Sequence, residues 1–264
     1  MTDTSSTRRV LIELDEVEVP RASAEGEMSI EGVSWKIRAG DYWAVSGLAG
    51  SGKSDLLNTA AGLMLPQRGS LRLFDRDVTQ LDEDERVRER LRMGIVFAEG
   101  GRLFQELTLA QNIALPLRYH RNFEDADAAA QLAEVLALTK LEGLAGALPG
   151  SVGRMMWRRA ALARALIMRP EVLFLDEPLR GLDRRESRWW IETLAELRRG
   201  HPLLGGQPVT LVVASEDLTL WLDHAETFAL INERRWLFLG TQAEVRSRPE
   251  RFLREWIAAD SIKP

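Results

Sequence analysis

Eight consecutive residues near position 50 have the types and spacing to hold a phosphate. Gly47, Leu48, Ala49, Gly50, Ser51, Gly52, Lys53 and Ser54 fit the pattern GxxxxGK[ST], with Asp55 directly behind them. Glycines let backbone N–H groups curl around a β-phosphate, and a following helix adds positive potential from its N-terminus. Lys53 has the reach for the β and γ oxygens, and the Ser54 hydroxyl is a ligand for Mg2+. Far along the chain, residues 172–178 (VLFLDEP) form an apolar run closed by Asp176 and Glu177. Asp176 is suited to hold Mg2+ through water, and Glu177 to polarise an attacking water. The pair of motifs points to a nucleoside triphosphate bound with Mg2+.

Such residues need rigid elements beneath them. The alternation at 10–19 and the runs 29–37 and 42–45 read as strands, the last feeding the glycine-rich loop. Residues 55–63 read as a helix, 70–74 as a short strand, and 82–92 as a densely charged helix with a solvated face. Strand character returns at 94–97. Between 100 and 148 the composition shifts to Ala, Leu and Glu, as in a helical insertion. A helix at 155–168, the strand 172–175, a helix at 186–199 and strands at 209–214, 228–231 and 236–239 follow, with a closing helix at 251–259. Strands separated by helices argue for an α/β core with one inserted helical lobe.

The bulk numbers suit that reading. The 264 residues are 45% hydrophobic and 28% charged, a globular balance. A net charge of -5 gives no basic field for nucleic acid. There are no cysteines, which excludes disulfides and thiolate chemistry and fits a reducing compartment. No stretch approaches the roughly 20 apolar residues that span a bilayer. The polar start, 1–9, reads as a disordered tail rather than a secretory signal.

At this point the residues resemble a family. LFLDEP followed by Gly181-Leu182-Asp183 resembles the Walker B motif and D-loop of ABC ATPases, and 158–166 (RRAALARAL) resembles the helix after their signature motif. Residues 94–97, 103–104 and 109–117 resemble the Q-loop region and the start of the helical lobe. The resemblance, from about residue 10 to about 240, implies ATP and Mg2+ as ligands, an ATPase activity and two subunits sandwiching two ATP molecules. It implies a P-loop NTPase core with a mainly parallel sheet and an antiparallel N-terminal β subdomain. It also implies a transmembrane permease as partner, a second ABC ATPase subunit (the same chain or another), no nucleic acid, and a peripheral place on the cytoplasmic face of the inner membrane. Expected boundaries are a tail at 1–9, a nucleotide-binding core at 10–98 and 169–240, a helical signature lobe at 99–168 and a helical tail at 241–264. Residues 99–103 and 112–121 are similar to the ATPases of Mce/Mla-type lipid and solvent-tolerance transporters, and a generic ABC importer or exporter shares such segments too.

Several family positions are altered. Where LSGGQ is expected, the chain has Val152, Gly153, Arg154, Met155 and Met156, and the side chains of Arg154 and Met155 hinder a close backbone approach to a γ-phosphate. Arg154 is either a guanidinium for the phosphate or a surface arginine. Glu99 takes the Q-loop place as a hard oxygen ligand for Mg2+, or Ala98 does after a one-residue shift. Ser215 and Glu216 stand where the switch histidine is expected; a carboxylate there is repelled by a γ-phosphate unless protonated or bridged, while Ser215 offers a neutral hydrogen bond. The three histidines, His120, His201 and His224, lie elsewhere. No aromatic occupies the adenine-stacking stretch, where Arg21 is either a planar substitute or a loop residue. Nucleotide and Mg2+ ligands are intact and γ-phosphate sensors altered, so the expectation is firm ATP binding with slow or partner-dependent hydrolysis. The alternative is a degenerate subunit that binds ATP to hold or regulate a complex.

Overall fold

A computed structural model of the chain describes residues 8–22, 28–120 and 125–247, without the side chains of Glu99 and residues 125–127. The tail at 1–7, most of the polar break at 22–27 and the expected helix at 251–259 lie outside the described residues. The chain divides into two compact units, Met1–Leu81 with Val212–Pro264, and Asp82–Leu211.

In the first unit, β1 (Val10–Pro20) and β2 (Met28–Arg38) pair antiparallel, and β4 (Arg68–Leu73) and the short β5 (Arg76–Asp77) extend that layer. β3 (Tyr42–Gly47) is buried along its whole length, as the apolar run Tyr42–Val45 suits a central strand. Its parallel neighbour is β9 (Thr227–Asn232), with Gly47 facing Ile231; β9 pairs antiparallel with β10 (Arg235–Thr241). The order is β5-β4-β1-β2-β10-β9-β3-β8, the last strand being β8 (Thr210–Ser215). Helix α1 (Lys53–Ala60) leaves the loop after β3, and α7 (Gln242–Ser247) follows β10.

In the second unit, β6 (Met93–Val96) pairs parallel with β7 (Val172–Asp176), every residue of which is buried. Helix α2 (Glu83–Arg90) opens on a capping box: the Asp82 carboxylate accepts from the Glu85 N–H at 2.8 Å, and Glu85 accepts from the Asp82 N–H at 3.1 Å. Thr108 and Gln111 make the same reciprocal pair ahead of α3 (Leu109–His120). Helices α4 (Asp125–Thr139), α5 (Arg154–Leu166) and α6 (Arg184–Gly200) complete the unit. Asp183 caps α6 by accepting from the Glu186 N–H at 2.8 Å.

Candidate nucleotide site

The phosphate loop lies wholly in the first unit. Residues 48–50 are exposed, and Gly50 (φ 76°) and Gly52 (φ 98°) take left-handed backbone that only glycine adopts readily. A Cβ on Gly52 would come within 2.7 Å of the Ser29 Cβ, and one on Gly47 within 3.0 Å of the Ile231 carbonyl oxygen. The backbone therefore presses against its own sheet, leaving the open side to a ligand. Lys53, 6% exposed, donates from Nζ to the Gly47 carbonyl at 2.7 Å and the Leu48 carbonyl at 3.1 Å. The Ser51 hydroxyl is shielded from solvent with no protein partner. A buried donor of that kind fits a loop built around a polar guest. Ser54 is exposed in the first turn of α1. The Asp55 carboxylate accepts from the Ser29 hydroxyl and, at 3.3 Å, from the Ala22 N–H, so it fastens α1 to the strand layer and to the segment bearing Arg21.

The altered switch position is part of the same unit. The Ser46 hydroxyl, fully buried one residue before the loop, donates to the Glu216 carbonyl at 3.0 Å and so brings Glu216 beside the loop's root. The Ser215 hydroxyl donates to the Asp217 carbonyl at 3.2 Å, so its proton is used within its own turn.

The acidic pair lies in the second unit. Asp176 ends β7 at 6% exposure, and Glu177, at 8%, has φ 48°. Left-handed backbone is unfavourable for a residue with a Cβ, more so ahead of a proline, and such positions cluster at functional sites. The turn continues through Arg180 and Gly181 to Asp183. The signature position keeps its helix end despite its changed residues: α5 begins at Arg154, Gly153 carries no capping side chain, and both, with Met155, are exposed. The first-turn N–H groups therefore still face outward, the geometry that receives anions.

The 3-10 turn 98–100 follows β6, and its Gly100 (φ 87°) is packed on α5: a Cβ there would lie 3.0 Å from the Arg158 nitrogen and the Trp157 carbonyl carbon. The Glu99 side chain is outside what is described. Beside this turn is a cavity of about 410 Å3 lined by Arg90, Phe97, Phe104, Pro116, Tyr119 and Arg164, among others. Phe104 is 59% and Tyr119 79% exposed. Buried Asn112 fixes Phe104 by accepting from its N–H at 2.8 Å and donating to its carbonyl at 3.0 Å. Burial lowers the Arg164 pKa from its ordinary value; the side chain donates to the Arg102 carbonyl at 2.9 Å.

Sequence reasoning found the loop and the acidic pair but missed the Ser46–Glu216 tie, the Gly100 packing and the groove. Of the three histidines, His120 lines the groove, His201 caps a turn by accepting from the Leu203 N–H, and His224 is half-buried after a 3-10 turn. Trp157, Trp189 and Trp190 are packing residues: Trp157 donates to the Pro149 carbonyl, and Trp189 and Trp190 stack edge to face in the core.

The sequence profile of the ABC transporter family matches residues 30–180, more than half of the chain and inclusive of both motifs. The chain belongs to the ABC transporter family. Among curated relatives of this ABC protein, the sulfate/thiosulfate import ATP-binding protein CysA of Caulobacter vibrioides is 35% identical over 221 residues, 83% of this chain and 62% of that one. CysA 2 of Chromobacterium violaceum is 36% identical over 230 residues, 87% of this chain and 59% of the other. The chain thus spans about three fifths of the length of the curated relatives it matches. Among solved structures, the ATP-binding cassette MJ0796, a dimer in a post-hydrolysis state with ADP and Pi, superposes with TM-score 0.74 at 25% identity, covering 85% of this chain and 96% of that one. CbiO1 of Clostridium perfringens superposes with TM-score 0.76 at 21% identity, over 93% and 94% of the two chains, a likeness of fold. The fold is that of an ABC ATPase, an α/β P-loop unit with a mixed sheet and helices. The curated relatives named here are sulfate and thiosulfate importers, so the expected kinship with Mce/Mla-type lipid transporter ATPases gains no support from them.

Proposed function

We propose that this ABC protein binds ATP with Mg2+ and hydrolyses it to drive transport through a membrane partner. The observation that carries the reading is the phosphate loop, with left-handed Gly50 and Gly52 and a buried Lys53 whose ammonium donates to two loop carbonyls that a phosphate can replace. Gly47 through Ser54 receive the triphosphate on backbone N–H groups and Lys53, with Asp55 as their anchor. Mg2+ supplies charge neutralisation at the phosphates and is commonly held through one or two protein oxygens plus phosphate oxygens. Ser54 brings the hydroxyl and Asp176 the carboxylate, with Glu99 as a further candidate ligand. Glu177 orients and deprotonates the attacking water. Asp183, with Gly153 and Arg154, serves the nucleotide of a second ABC subunit. Ser215 and Glu216 replace the γ-phosphate sensor, so turnover is slow or dependent on the partner.

The partner is a transmembrane permease, reached by the lobe 99–168 through the groove of Phe97, Phe104, Pro116 and Tyr119. An apolar groove with exposed aromatics and two flanking arginines suits an amphipathic helix with an acidic residue. The chain then sits peripherally on the cytoplasmic face of the membrane. Substrate choice belongs to the partner subunits. The importer relatives support uptake of a small polar solute over the lipid class, which rests on short segments alone.

A second reading, a subunit that binds ATP to hold a complex together, is favoured by bulky Met155 at the signature position and Glu216 beside the loop. Steady-state turnover of the full chain with and without its membrane partner separates them. The ATPase reading expects Glu177→Gln to lower kcat by about 10²-fold or more at unchanged KM. Turnover equal in Glu177→Gln and wild type leaves only the binding module, and no Mg·ATP affinity at all removes both.

A further inference from the structure

Two consecutive arginines on α5 hold the turn that follows Glu177. Arg158 donates from Nη1 to the Arg180 carbonyl at 2.5 Å. Arg159 makes a fork-to-fork pair with Glu186, Nε to Oε1 at 2.7 Å and Nη2 to Oε2 at 2.6 Å. Both side chains of that pair are about nine-tenths buried, at 11% and 7% exposure. The remaining donor of Arg159, Nη1, reaches the Thr139 carbonyl at the end of α4 at 3.3 Å, and its guanidinium lies 3.9 Å over the Trp189 ring. Glu186 in turn gives its backbone N–H to Asp183. The segment from Arg180 to Glu186 is thus pinned at both ends to a helix whose first turn is the signature position.

A desolvated ion pair is a weak source of net stability, because taking both charges out of water offsets most of their attraction. What this one supplies is geometry. A planar fork bound on its edges and its face admits one orientation, which lysine does not reproduce. Gly100 rests on the backbone of Trp157 and Arg158. The start of α5 therefore touches both the groove-side turn and the turn after the acidic pair.

We propose that Arg159, through Glu186, is a positioning residue for turnover, which makes the first turn of α5 and the Arg180–Asp183–Glu186 turn move as one piece. A displacement at the groove-side turn then reaches the residues following Glu177 without loss in a soft joint. This inference rests on the ATPase reading above, and its test has one arm that does not.

In steady-state assays of the full chain, Glu186→Gln and Arg159→Lys are each expected to lower kcat about tenfold with KM within about twofold of wild type. The exchanged pair, Arg159→Glu with Glu186→Arg, is expected to recover at least about threefold over the worse single variant. Unchanged kcat in both single variants overturns the inference. So does a swap no better than either single change, which would mark the pair as ordinary packing. In the second arm, amide hydrogen exchange is followed in segments 154–158 and 180–186. Both are expected to speed up together, by about tenfold or more, in Glu186→Gln. Acceleration in one segment alone overturns the coupling. Should wild type show no turnover, the proposed function fails and the exchange arm still decides. If Glu186→Gln does not fold, Arg159→Lys carries both arms.

Discussion

Lys53 and Gly100 show how much a single position decides. Lys53 Nζ has two loop carbonyls as placeholders, and a triphosphate replaces them with charged oxygens that bind more strongly. Lys53→Ala is expected to weaken Mg·ATP binding by about tenfold or more, measured by titration with a fluorescent nucleotide analogue. An unchanged dissociation constant would remove Lys53 from the phosphate site. Gly100 combines left-handed backbone with contact to the body of α5. Gly100→Ala is expected to cost about 1–3 kcal/mol in urea unfolding. Gly143→Ala, where an added methyl meets nothing within 4 Å, is the control and is expected to stay within about 0.5 kcal/mol of wild type. Equal losses in the two would show that packing on α5 is not what makes Gly100 costly to replace.

Elements divide into those announced by local pattern and those made by distant partners. Apolar runs at 172–175 and 209–214 are legible as buried strands because a strand covered on both faces has no polar face to break the run. Helix α1 begins at Lys53, two residues before periodicity alone suggests, because left-handed Gly52 turns the chain directly into it. The short β5 and α7 carry too few residues for any period to register. The loop and the acidic pair are legible for a chemical reason: their function needs particular atoms at fixed spacing in one stretch of chain. The Arg159–Glu186 pair joins residues 27 apart and the Ser46–Glu216 bond residues 170 apart, separations at which sequence has no signal without the fold. The groove is of this second kind, since Phe104 becomes a lining residue only once Asn112 has fixed its backbone. Phe104→Ser is expected to leave nucleotide affinity unchanged while weakening association with the membrane partner by about tenfold or more in co-purification. Full association by the variant would move the docking surface elsewhere.

On the scale of the whole chain, bound nucleotide and folding are linked. A ligand at about 100 times its dissociation constant stabilises the native state by about 2.7 kcal/mol. For a chain of this size, that is a rise of roughly 5–10 °C in melting temperature. Differential scanning fluorimetry with and without Mg·ATP is expected to show this shift in wild type and to lose most of it in Lys53→Ala; a flat response in wild type would mean that nucleotide is not held. The first unit is also discontinuous along the chain, with the second unit inserted between residues 81 and 212. Strand β3, which ends in the phosphate loop, finds its lateral neighbours in β9 and β8, both more than 150 residues downstream. During synthesis on the ribosome the loop emerges early but hangs from an unpaired strand until residue 232 has left the exit tunnel. Nascent chains halted before that point have the whole glycine-rich motif without the lateral strands that brace it, so the growing polypeptide makes its nucleotide grip long before it makes what steadies that grip.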